Sequence, residues 1–162
     1  MYLDAQMLLS GAVSAAGVLT GQAVNGAGNI LSANTIDVAP LTLGGNQPGD
    51  IGMGESLSVN FSVLSAPTVG TNVQFQLIQA DDAALTLNVQ VINQTDAIPI
   101  ANLPVGAVIP MAFDSANPYP AKRYVGARYV NTGAIATFTV VAAIVKNAQS
   151  RQTSYKSGFT IA

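Results

Sequence analysis

The 162-residue chain contains no cysteine, no histidine and no tryptophan. Without Cys no disulfide can staple the fold, and the redox compartment leaves no trace in the sequence. Without His and Cys together, the usual zinc and haem sites and the Cys–His and Ser–His constellations are excluded. What remains is carboxylate chemistry, and carboxylates are scarce. Charged residues make up 9% of the chain, far below the ~25% of ordinary soluble domains. The stretch leading to Ile36 is apolar but broken by Gly, Ser, Asn, Gln and Thr, too interrupted for a membrane span. Asp4 stands where a secretion signal carries Lys or Arg, so the expectation is a cytoplasmically made protein with no export address.

Amides fill the polar positions instead, 22 Asn and Gln against 14 charged residues. Such a coat is wettable yet repels copies of itself weakly, which suits a protein packed against other subunits. The few charges are segregated. Residues 1–121 hold all eight acids and residues 122–162 all six bases. Segregation permits complementary patches for association. It equally permits neutralisation inside the fold, where the two segments neighbour each other. Both readings stay open at this stage.

Period-2 alternation is the main structural signal. In "ESLSVNFSVL" Leu57, Val59, Phe61 and Val63 alternate with Ser56, Ser58, Asn60 and Ser62. Val73, Phe75 and Leu77 alternate with amides in "TNVQFQLIQ", and Leu85, Leu87, Val89 and Val91 share one face of "ALTLNVQVI". Further strands are predicted at 107–113, 121–130 and 134–146, with short ones in "NTIDVA" and "YKSGFTIA". Segment 134–146 is apolar on both faces, as a strand between two layers would be. Pro104 and Pro110 bracket an edge strand. "LGGNQPGDIGMGE" (43–55) reads as a Gly-rich loop. These features predict an all-β fold, an antiparallel two-sheet sandwich of jelly-roll type. Residues 1–35 have no strong period and predict an extended N-terminal arm, ordered against a partner or the domain's own flank. The sandwich itself is expected over 36–162.

Catalytic candidates are few. Asp81 and Asp82 are adjacent, so their side chains diverge, and the alternating Asp/Asn pattern of a calcium loop is absent. They read as a solvated turn. "GDIGMGES" has the glycines of a phosphate loop but no following Lys-Ser/Thr or helix. No catalytic, cofactor-binding or metal-binding residue is assigned. The densest chemistry lies in "AKRYVGARYV", where Lys122, Arg123 and Arg128 surround Tyr124. Strand alternation puts Arg123 and Tyr129 on one face and Lys122, Tyr124 and Arg128 on the other. Cations split between two faces, and a pI near 4.6, argue against nucleic-acid binding. The tyrosines are expected as core or rim aromatics with solvated hydroxyls.

The phrases "MYLDAQMLLS", "SANTIDVA", "DIGMGESLSVNFSV", "VQFQLIQADD" and "KRYVGARYVNTGAIATFTVVAAIV" follow one another in an order that resembles the capsid cement (decoration) proteins of short-tailed bacteriophages. The resemblance runs from Met1 to about Val145 and consists of strand-like phrases. It implies a non-enzymatic role on the outer surface of the virion, holding adjacent capsomers against DNA pressure. The implied partners are the major capsid protein and the chain itself, as a symmetric dimer or trimer, with no cofactor, nucleic acid or membrane. On this reading the bases meet acidic shell loops, and the candidate interface residues are Lys122, Arg123, Arg128, Arg151 and Lys156. The alternative is a receptor- or glycan-binding jelly-roll module of a phage fibre or surface appendage.

Overall fold

A computed structural model of the chain describes residues 5–38, 57–113 and 122–146. From the N-terminus come β1 (Leu8–Ser10), β2 (Ala12–Val13), β3 (Leu19–Thr20), β4 (Gln22–Ala23), β5 (Gly26–Leu31) and β6 (Ile36–Asp37). Then follow β7 (Leu57–Ser65), β8 (Asn72–Ala80), β9 (Gln90–Gln94), β10 (Ile98–Pro99) and β11 (Val108–Ala112). The last two are β12 (Tyr124–Ile135) and β13 (Thr139–Lys146). Helix among the described residues is confined to single 3-10 turns at Ala5–Met7 and Ile100–Asn102. The expected loop at 43–55 and the expected last strand, "YKSGFTIA", lie outside the described residues.

All the pairings among the described residues are antiparallel. The first sheet has the order β1-β13-β7-β11, with β4 also on β13. The second runs β10-β8-β12-β5, with β9 also on β8 and β6 on β12. Counted in chain order as β1, β5, β7, β8, β9/β10, β11, β12 and β13, the first sheet reads first, eighth, third, sixth. The second reads second, seventh, fourth, fifth. Successive strands thus cross between two sheets in interlocked Greek keys, which is the jelly roll expected from the sequence. Pro110 sits on β11 at the edge of its sheet, where its missing N–H costs no ladder bond.

Alternation along the long strands fills the space between the sheets. Val59, Phe61 and Val63 face Val73, Phe75 and Leu77, and Val125, Ala127 and Tyr129 face Val140, Ala142 and Ile144 in one core. Phe75 is its hub, with ring centroids 5.2 Å from Phe61, 5.7 Å from Tyr129 and 6.4 Å from Phe138. The other face of β13 is apolar too. Val141, Ala143 and Val145 are covered by Leu8 and by Leu19 of the β2–β3 hairpin. That accounts for a strand apolar on both sides.

Residues 5–35 pack into the sandwich instead of forming an arm beside it, with no boundary at 35/36 among the described residues. Of the two possibilities left by the sequence, the domain's own flank orders the segment. Its strands occupy the first and second positions of the jelly roll, and Leu9 and Val24 are fully buried. The Tyr129 hydroxyl, expected in solvent, donates instead to Ser10 Oγ at 2.7 Å inside the core. Burial pushes its pKa well above the ordinary phenol value. Asn131 Nδ2 donates to the carbonyls of Val24 and Gly26 at 2.9 and 3.0 Å. No period showed here because the strands are two to six residues long and alternate between sheets.

The alternation at 84–92 also predicts more strand than there is, since β9 starts only at Gln90. Asp82 is the reason. Its carboxylate accepts from the Thr86 and Leu87 amides, both at 2.8 Å, and from Thr86 Oγ1 at 2.7 Å. These bonds outcompete the ladder and wind 81–89 into a loop, with Leu85 and Asn88 at φ 56° and 50°. Leu85 folds down onto Ile78 and Ala80. It lies over Gly126, where a β-carbon would collide with Leu85 Cδ1.

Candidate functional site: the outer face of the second sheet

Strand β12 runs through the middle of the second sheet and carries the basic stretch. Its inward positions are Val125, Ala127 and Tyr129, and Arg128 points out, as the alternation predicts. Lys122 and Arg123 precede the strand at one end of the sandwich. Arg123 grips Asp37 through Nε at 3.0 and 3.2 Å and Nη2 at 2.8 Å, and its guanidinium lies 5.1 Å from the Tyr124 ring centroid. The Asp37 hydrogen bonds hold the guanidinium pKa above its ordinary value. Lys122 Nζ bonds Asp81 at 2.7 Å. Both cations therefore find acids from the first part of the chain, and there the segregated charges neutralise locally. Arg151 and Lys156 lie outside the described residues.

Arg128 differs. Its Nε donates to Gln76 Oε1 at 2.6 Å, and among the described residues no carboxylate pairs with it. Cross-strand register sets Leu31, Arg128, Gln76 and Gln94 in one row over four strands. Gln76 Nε2 donates to Gln94 Oε1 at 2.8 Å and to Gln74 Oε1 at 3.3 Å, and Gln74 Nε2 to the Thr95 carbonyl at 2.8 Å. The amides form a directed network anchored on the backbone, with the guanidinium at its head. Sequence reasoning missed this row. Its signal was the outward set of residues 72–79, where every polar position is an amide.

The loop 81–89 borders the row, because Gly126 under Leu85 and Arg128 are two residues apart on one face of β12. Lys122 and Asn88 hold the Asp81 carboxyl below its ordinary pKa of 3.8, and the Leu87 and Thr86 bonds do the same for Asp82. A carboxyl whose folded pKa is lowered contributes its stabilisation fully above the unfolded value and loses it as pH falls through the folded one. Asp82→Ala is expected to lower the amide-exchange protection of Thr86 and Leu87 at least about tenfold at neutral pH, as local opening of an exposed loop. The wild type should show the same loss on acidification below 3.8, and the variant none. Equal protection in both proteins at neutral pH would show that Asp82 does not hold the loop.

Among the described residues no three of His, Cys, Asp and Glu gather as a metal site would need. The fold and the site define a class, a jelly-roll sandwich that presents an amide-lined face with Arg128 in it. The chain belongs to the Bbp16 family, whose model matches residues 18–145, and it is accordingly phage-associated. No curated protein matches it.

Proposed function

We propose that the protein is a structural, non-enzymatic component of the virion. It binds the outside of a phage capsid as a symmetric oligomer and cements adjacent capsomers against internal DNA pressure. The major capsid protein of the same phage is the partner, and assembly follows synthesis in the host cytoplasm. The supporting observation is that, among the described residues, both outer faces of the jelly roll carry few charges. One presents the amide row. The other presents Ser58, Ser62, Val108, Pro110 and Ala112 in register, beside the exposed Val13 and Val18 of the β2–β3 hairpin. Faces of this kind make many modest contacts, which simultaneous engagement on a repeating shell multiplies. Membership of a phage-associated family is consistent with the same role. Purified protein added to expanded empty shells should bind stoichiometrically and raise their melting temperature. Failure to bind the cognate shells would sink the proposal.

A further inference from the structure

We propose that the outer face of the second sheet is where two copies of the chain pair, Arg128 of each meeting Asp96 of the other. The charges of the sheet point to it first. Among the described residues Asp37 and Asp81 are taken by Arg123 and Lys122, and Asp82 by its own loop. Among the described residues Arg128 and Asp96 have no ion partner, one charge of each sign, on β12 and on the β9–β10 connection of the same sheet.

Asp96 is exposed and directly follows Thr95, which is fixed on β8. Thr95 accepts from Gln74 Nε2 through its carbonyl and from the Phe75 amide through Oγ1, at 2.8 and 3.1 Å. Arg128 stands on β12, two strands away from β9. Strands lie ~4.8 Å apart, so the two backbone positions are separated by roughly 10 Å or more. With its guanidinium turned onto Gln76, Arg128 makes no bridge to Asp96 within one chain. This is the arrangement a two-fold axis needs, since an isologous interface lets each copy's cation meet the other's anion at once.

Hydrogen-bond capacity points the same way. The Oε1 atoms of Gln74, Gln76 and Gln94 all accept bonds within the row. The Nη groups of Arg128 and Nε2 of Gln94 have no acceptor among the described residues. The row therefore has donors to spare, and a carboxylate is the group that takes several. Leu87, 56% exposed on the bordering loop, adds apolar area beside it.

This inference rests on the oligomeric part of the proposed function, so its test uses the protein alone, without shells. In sedimentation velocity the full chain should associate reversibly, and more weakly as salt rises. Arg128→Glu and Asp96→Lys should each weaken self-association at least about tenfold, and the two combined should recover to within about threefold of wild type. Thermal melts check the fold, and Arg128→Gln, which keeps a donor for Gln76, should weaken association without lowering the melt. Single variants that associate like wild type, or a combination no better than the worse single, would overturn this surface and leave the capsid reading standing. A wild type monomeric at about 100 µM would overturn both the surface and the oligomer. If Arg128→Glu abolishes binding to shells while self-association is unchanged, the face belongs to the shell protein and the pairing is wrong.

Discussion

Deletion of residues 2–24 is expected to leave a chain with no cooperative thermal transition. The deletion removes Leu8, Leu9, Ser10 and Val24, all buried. Losing one buried Leu side chain alone costs about 2–5 kcal/mol, and whole-domain stability is only about 5–15 kcal/mol. Three further losses come with it. Strand β13 loses β1 and β4 along one edge, exposing backbone donors and acceptors on an apolar strand, a template for aggregation. The cluster of Val141, Ala143 and Val145 loses Leu8 and Leu19. The buried Tyr129 hydroxyl loses Ser10, its partner at 2.7 Å, and an unpaired buried hydroxyl carries its full desolvation penalty. Circular dichroism during heating decides the matter. A sharp melt near the wild-type temperature would show that the remaining strands fold by themselves, and residues 2–24 would then be an arm after all.

Phe75→Ala is expected to be the most damaging single substitution in the core. The ring is fully buried and meets Phe61, Tyr129 and Phe138 at tilted or edge-on angles. Edge-to-face pairs add to the burial of area, and truncating a buried Phe costs about 3–5 kcal/mol. At this chain length that lowers the melting temperature by about 10 °C. Val130→Ala, on the outward face of the neighbouring strand, should cost about 1 kcal/mol or less. Urea unfolding of the two variants makes the comparison. Equal midpoints would mean that Phe75 is not the hub of the core.

Much of this fold was legible in residues 57–146, because long strands with one face in the core impose alternation on the sequence. Leu57 to Val63, Val73 to Leu77 and Val125 to Tyr129 all point as the pattern required. Even the edge position of β11 followed from Pro110. Two failures have physical causes. The segment before Ile36 is built from very short strands pinned by long-range partners such as Tyr129 and Asn131, and such partners leave no local period. At 84–92 the apolar alternation was real, but one carboxylate capping three donors outweighed it. The candidate site was half legible. Alternation separated Arg123 from Arg128 correctly, while the partners that distinguish them, Asp37 on one side and Gln76 on the other, are 86 and 52 positions away. The structure narrows the open question to Arg128.

The pairing of the first strand with the last also bears on how the chain is made. Leu8 lies opposite Ala143, so β1 emerges from the ribosome long before the strand it will sit beside exists. Until β13 is synthesised, the first sheet has no centre, because β13 joins β1 to β7. Completion of the sandwich therefore waits for β13 and for closure of the long loop between it and β1, and topologies of this kind fold in milliseconds to seconds. During that interval the apolar strands are unpaired. Sparse charge, which serves contact between finished subunits, gives the nascent chain little electrostatic protection against its neighbours.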